Sequence, residues 1–318
     1  MTTPEQRITK ESITAFFADL QERICRALEE ADGTGESTAP ADRPGVFRED
    51  AWERPGGGGG RSRTLVDGAV IEKGGVGYSV VHGEATETTL RSLDLTQPAE
   101  FYATGVSIVL HPRNPMVPII HMNVRYFEMS TGHSWFGGGI DLTPHYVADD
   151  DARWFHQYLK TVCDRHDPGY YLKFKPWADD YFFIPHRQET RGIGGIFFDY
   201  LKPASETHKA DLFAFVQDVG NAFAPIYTHF MHKNRDLPFG EREKNWQLLR
   251  RGRYVEFNLV WDRGTKFGLE TNGRTESILM SMPPQANWTY DFQPEPNSRE
   301  TETLALLRKG VEWGSKKS

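Results

Sequence analysis

Ile119-Ile120-His121-Met122-Asn123-Val124-Arg125-Tyr126-Phe127 is the stretch that decides the fold. Successive side chains of a strand point to opposite faces. Ile120, Met122, Val124 and Tyr126 therefore share one face, and His121, Asn123 and Arg125 share the other. The first face predicts a sheet packed against a core. The second predicts the wall of a pocket that binds an anion and moves a proton. A guanidinium can clamp a carboxylate through two parallel hydrogen bonds, and imidazole titrates near neutrality.

Working outward, strand patterns are expected over residues 77–82, 101–111, 118–129, 181–184, 193–200, 253–262 and 277–282. Helical spacing is expected over 10–32, 149–166, 208–234, 240–251 and 299–314, with Asp149, Asp150 and Asp151 suited to a helix N-terminus. Strands with few intervening helices in the first half do not read as regular βαβ units, so an antiparallel or mixed sheet covered by helices is the expectation. No repeat and no clean linker divides the chain, and a single domain over 1–318 is expected. Residues 33–63, rich in Pro, Gly and charge and holding the run Gly56 to Gly60, read as a flexible surface loop.

Composition narrows the class. The 318 residues are 38% hydrophobic and 25% charged, as in ordinary soluble globular chains. A formal charge of −7, from 37 basic and 44 acidic residues, argues against a nucleic-acid binder. Only two cysteines, Cys25 and Cys163, rule out a disulfide framework and fit a reducing compartment. No apolar run approaches the roughly 18 residues of a spanning helix. The first residues lack the apolar or Arg-rich patterns of leader segments, and a cytoplasmic location is expected.

Other segments add chemistry. Ser107 and His111 share a face of the 101–111 strand, and His111-Pro112-Arg113-Asn114-Pro115 then leaves it. Trp135-Phe136-Gly137-Gly138-Gly139-Ile140-Asp141 sets three glycines before one carboxylate. Glycine lets a backbone approach a flat ligand closely, although a turn with an Asx hydrogen bond reads equally from the same residues. Arg187 and Arg191 read as further anion clamps, since the glycines after Arg191 lead into aromatics and not into the helix of a dinucleotide site. Glu256, Asn258 and Asp262 fall on one face of the expected 253–262 strand, and Asn272-Gly273-Arg274 reads as a turn carrying a guanidinium. His111, His121, His156 and His186 are candidate metal ligands by type, but no HxH or HxxxH spacing joins them.

Together, His111 to Pro115, Phe136 to Pro144, Arg191 to Asp199 and Arg251 to Gly268 resemble the oxygen-dependent coproporphyrinogen III oxidases, a likeness running from about Val70 to Tyr290. The resemblance implies an α+β fold: a large antiparallel β-sheet flanked by α-helices on both faces. It implies oxidative decarboxylation of the ring A and ring B propionates of coproporphyrinogen III to vinyl groups in haem biosynthesis. Molecular oxygen is the co-substrate, with no flavin, haem or nicotinamide. By the same resemblance His121 is the proton donor and Asp141 accepts from the pyrrole N–H groups. Ser107, Asn123, Val124, Arg125, Arg187, Arg191, Asn272, Gly273 and Arg274 contact the substrate. A homodimer forms through about 254–290. His111, His121, His156 and His186 match divalent-metal positions of bacterial relatives. Two local departures are Ser134, where a second tryptophan is expected, and Tyr200, where an aspartate is expected. A tetrapyrrole-binding protein without turnover and a metal-dependent oxygenase are the alternative readings.

Overall fold

The computed structural model describes residues 7–33, 45–92, 96–270 and 273–314. The elements follow in chain order: α1 (Lys10–Gly33), β1 (Arg48–Glu53), β2 (Gly58–Val66), β3 (Ile71–Glu84), α2 (Glu87–Ser92), β4 (Glu100–Pro112), β5 (Ile119–Met129) and β6 (Ser134–Thr143). Then come α3 (Asp149–Asp164), α4 (Pro168–Tyr181), the short pair β7 (Phe183–Ile184) and β8 (Glu189–Thr190), and β9 (Gly195–Leu201). The chain closes with α5 (Glu206–Asn234), α6 (Glu241–Val260), α7 (Arg263–Glu270), α8 (Thr275–Leu279) and α9 (Arg299–Leu306). Seven strands form one sheet in the order β1-β2-β3-β4-β5-β6-β9, every neighbouring pair antiparallel.

The register puts the two faces where the alternation of β5 places them. Val106, Ile108 and Leu110 of β4 stand opposite Val124, Met122 and Ile120, and all are buried. They pack with Phe17, Leu20 and Ile24 of α1, Phe155 of α3, Phe174 of α4 and Phe215 and Phe223 of α5 in one core. Each such side chain taken from water stabilises the fold by roughly 1.5–3 kcal/mol. The α1 end is pinned by polar contacts. The buried Asp32 carboxylate accepts backbone N–H groups from Gly45, Ala69, Val70 and Ile71, each at 2.8 Å. The opposite face of the sheet meets α6, α7 and α8. Ser62 and Ser277 hydroxyls lie 2.8 Å apart, Lys73 donates to the Met282 carbonyl at 2.7 Å, and the His111 ring bonds the Ser281 carbonyl at 2.8 Å. Helices thus cover both faces of an antiparallel sheet.

Several expectations are corrected. The segment 253–262 is the end of helix α6, not a strand, and 277–282 begins in helix α8. The buried side chains of α6, including Trp246, Arg250, Tyr254 and Phe257, recur every three or four residues. Three of the helix's buried positions, Arg250, Arg251 and Arg253, are arginines, so a count of apolar residues misses the period. Gly252 lies inside the helix, at a position where a Cβ would lie 2.5 Å from the Asn287 carbonyl oxygen. Of the loop expected over 33–63, residues 34–44 lie outside the described residues, and the remainder contains β1 and the start of β2. The glycine run closes their hairpin turn and opens β2, with φ of +111° at Gly57 and +84° at Gly58, a region open chiefly to glycine. The glycines before Asp141, for which a turn is one of two readings, lie in strand β6, and α4 falls where no helix is expected. Helix α9 ends at Leu306, short of the expected 314.

Candidate active site

The face of β5 that carries His121, Asn123 and Arg125 is continued sideways by register. Val109, Ser107 and Gly105 of β4 lie opposite these three residues on one side, and Asp141, Gly139 and Gly137 of β6 on the other. One step further out, Gly75, Gly77 and Ser79 of β3 join the same face. The glycines leave a low floor between taller polar side chains. Above it lies a cavity of ≈ 720 Å³, within the range of small-molecule sites. Its walls include Ser107, His121, Asn123, Arg125, Tyr181, Arg191, Asp199, Asn258, Asp262, Arg263, Arg274 and Ser277. Met280 roofs one corner, since a Cβ on Gly75 or Gly77 would meet its side chain at 2.9 or 2.7 Å.

At the centre, His121 Nδ1 donates to Asp141 Oδ1 at 2.8 Å. Arg191 reaches both oxygens of the same carboxylate at 2.8 Å and donates to Asn258 Oδ1 at 2.7 Å. Asp141 and Arg191 are 1% and 2% exposed, whereas His121 is 20% exposed. The Arg191 guanidinium lies 4.4, 4.6 and 4.7 Å from the ring centroids of Phe182, Tyr254 and Phe257, distances at which a cation gains from the aromatic face. Burial raises the Asp141 pKa, but the Arg191 charge and the His121 hydrogen bond outweigh it and hold the carboxyl below its ordinary value. An ionised Asp141 fixes the proton on His121 Nδ1 and leaves Nε2 for a ligand. The arrangement can position an imidazole for proton transfer.

The structure sorts the expected residues. Ser107, His121, Asn123, Arg125, Arg191 and Arg274 come together around the cavity. Asp141 stands behind His121 and Arg191 and not on the wall. Arg191 is spent on Asp141 and Asn258 and is not free to clamp a carboxylate. Val124 points the other way, fully buried in the helix-side core. Arg187 lies outside the cavity and grips Glu256 through two bonds of 2.8 and 2.7 Å. Glu256 and Asn258, expected on one strand face, point apart because a helix turns about 100° per residue. Arg274 bonds Ser277 at 3.2 Å and pairs with Asp50, Gly273 approaches the Gly268 carbonyl, and Asn272 lies outside the described residues. Asp199, Tyr181 and Arg263 also line the cavity without having been candidates from sequence, and Asp262, expected on a strand face with Glu256 and Asn258, joins them. The Asp199 position after a glycine-aromatic strand was the available signal for one of them.

The four candidate metal histidines are not brought together, and among the described residues no group of three or more His, Cys, Asp or Glu side chains is arranged to hold an ion. His156 lies in α3 on the far side of the sheet with both nitrogens engaged, at 2.9 Å from the Tyr171 hydroxyl and 2.9 Å from the Ile193 carbonyl. The carbonyl takes the Nε2 proton and the hydroxyl donates to Nδ1, so no lone pair remains for a metal. His111 is fully buried against the Ser281 carbonyl, and His186 pairs with Glu256 at 2.8 Å. The donor set does not fit a shared metal.

The coproporphyrinogen III oxidase family model matches residues 12–313. The chain belongs to that family. It is 46% identical to an oxygen-dependent coproporphyrinogen-III oxidase of Prochlorococcus marinus, over 95% of this chain and 91% of the relative. A chloroplastic oxygen-dependent coproporphyrinogen-III oxidase of Glycine max is also 46% identical, over 94% of this chain and 78% of the relative. The family and its named members make this chain an oxygen-dependent oxidoreductase. No helix among the described residues is long and apolar enough to cross a membrane.

Proposed function

We propose that this enzyme oxidatively decarboxylates the ring A and ring B propionates of coproporphyrinogen III, giving protoporphyrinogen IX, in the cavity above β4, β5 and β6. The observation that carries the reading is the register of β5 and β6. It sets a carboxylate-backed imidazole and an arginine on one floor otherwise cleared by glycines. Each turnover converts one propionate to a vinyl group and carbon dioxide. The two electrons and two protons released pass to molecular oxygen, which leaves as hydrogen peroxide. No flavin, haem or nicotinamide takes part.

Guanidinium groups at separate corners, Arg125, Arg263 and Arg274, suit a macrocycle with carboxylates on its rim. His121 is the group that meets the substrate, and it gives or takes the pyrrole or propionate proton through Nε2. Asp141 orients the ring and stabilises its charge, while Arg191 keeps Asp141 ionised. This departs from a direct Asp141 contact with the pyrrole N–H groups, because Asp141 lies behind the wall. The protein's contribution is positioning and preset electrostatics around a substrate that reacts with oxygen itself.

Two copies pair through about 254–290. Leu259, Val260 and Trp261 are exposed at the end of α6, and Trp288 and Tyr290 are exposed after α8, an apolar surface of the kind buried between subunits. The two cysteines, both free and buried, fit a reducing cytoplasm.

The test is to incubate metal-stripped enzyme with coproporphyrinogen III, with and without oxygen, and to separate the oxidised porphyrins by chromatography. Oxygen-dependent protoporphyrin is expected without added metal. Product only after a divalent ion is restored would return the histidines to the centre. No product under any condition would leave a tetrapyrrole-binding protein.

A further inference from the structure

Arg125 sits on the cavity wall with two of its five N–H groups already used. Nη1 donates to Asn123 Oδ1 at 2.8 Å, and Nη2 lies 2.8 Å from Asp199 Oδ2. The other Asp199 oxygen accepts the Tyr200 backbone N–H at 2.9 Å. Three features of the chain build this corner. Phe136 pairs with Leu201 and Gly138 with Phe198, so two residues of β9, Asp199 and Tyr200, stand opposite the single Gly137 of β6. That is a bulge, a device that re-aims a side chain and bends its strand. Tyr200 takes a left-handed φ of +50°, unusual for a residue with a bulky side chain. Its ring is 5.1 Å from that of Trp135, which holds it there. Gly137 supplies the space: a Cβ on it would lie 2.6 Å from Asp199 Oδ1 and 2.9 Å from Arg125 Nε.

We propose that Asp199 is the positioning residue of Arg125: its carboxylate sets the plane of the guanidinium and offsets its charge, so that this corner recognises a substrate carboxylate by aimed N–H donors and not by net charge. The proposal rests on the cavity being the substrate site. A carboxylate arriving at Arg125 meets three remaining N–H groups in a fixed plane, but also meets the repulsion of Asp199. It is therefore held in one orientation and not tightly. Such an arrangement suits a site that must bind a macrocycle, release it and bind it again in another orientation. Arg191 differs because it and its carboxylate partner are both buried, at 2% and 1% exposure, and its bonds go to Asp141 and Asn258.

Asp199→Asn tests this, since it keeps size and an acceptor and removes the charge. Binding of coproporphyrin III, the unreactive oxidised form, would be followed by fluorescence at low and high salt, and kcat and KM by porphyrin chromatography. Removing one partly exposed repelling charge should tighten binding at low salt roughly two- to fivefold, with the difference shrinking at high salt. A guanidinium released from its plane should lower kcat on the order of tenfold, as small misplacements of a positioning group do. In an Arg125→Gln background, Asp199→Asn should change kcat less than about twofold, because positioning residues and the residue they serve are not additive. Binding and kcat unchanged in the single variant would overturn the proposal. So would weaker binding at both salt concentrations, which would make Asp199 a direct substrate contact. A full effect of Asp199→Asn in the Arg125→Gln background would overturn it too. Coproporphyrin binding by the parent enzyme without turnover would instead refute the proposed reaction, while leaving the binding comparison intact.

Discussion

Asp141→Asn is the sharpest perturbation of the centre, because the side chain keeps its shape and loses its charge. Asp141 and Arg191 are 1% and 2% exposed, so water screens neither. The variant leaves the Arg191 guanidinium inside the protein with only Asn258 and three aromatic rings around it. Breaking a buried pair by removing one partner costs about 3–5 kcal/mol, a third or more of a typical total stability of roughly 5–15 kcal/mol. Urea denaturation with an unchanged slope should report that loss as a lower midpoint. The double variant Asp141→Asn/Arg191→Met removes the stranded charge and should recover about 1–3 kcal/mol relative to the sum of the two single variants. The native carboxyl sits below its ordinary pKa. Its contribution is therefore present above the unfolded value of about 3.9 and is lost as pH falls through the lower native value. Parent and variant should converge on acidification. Turnover should fall by several orders of magnitude, since an amide at 141 loses the charge and can turn its NH2 group to His121 Nδ1, which selects the wrong tautomer. A stability loss under about 1 kcal/mol, or strict additivity in the double variant, would refute a functioning buried pair.

Three further outcomes follow from the same geometry. Arg187→Ala should leave KM within about twofold, because an exposed arginine paired to Glu256 outside the cavity contributes little to the site, and a large KM rise in steady-state assay would restore it as a clamp. Gly137→Ala should keep the fold but raise KM or lower kcat on the order of tenfold, since a methyl 2.6 Å from Asp199 must push the Arg125 pair aside at an overpacking cost of about 1–3 kcal/mol; normal kinetics would show that the corner tolerates a methyl. Burial holds His145 and His156 at about 3 and pushes His111 well below its ordinary value. These groups stay neutral in the native state while the unfolded chain takes up protons below about 6.5. Stability should therefore be complete above that pH and fall steadily beneath it. Urea midpoints measured across this window should flatten in His145→Gln/His156→Gln, and an unchanged slope would mean that neither histidine is held neutral.

Reading the sequence succeeded where a local period decided the structure. β5 alternates cleanly because one of its faces meets the helix core and the other meets the cavity, so pleat and function coincide in one nonapeptide. α1, α3 and α5 show apolar spacing because each sends a recurring set of side chains into the one core. The same approach missed α6 beyond Gly252, where a glycine inside the helix is required by the chain at Asn287 and the buried side chains are Arg253, Tyr254, Phe257 and Asn258. It missed β6, whose glycines look like turn residues but are buried in the sheet to clear the cavity floor.

The sequence by itself determined an α+β chain, the polar face of His121, Asn123 and Arg125, and family membership, because these depend on residues adjacent along the chain. Only tertiary structure decided which charges meet. The β5–β6 register placed Asp141 beside His121, the segment leading into β9 brought Arg191 onto the same carboxylate, and the β9 bulge aimed Asp199 at Arg125. It also separated the four histidines and turned Arg187 toward Glu256. Pairings between residues 20 to 74 positions apart are set by strand register and helix packing, which no local period encodes.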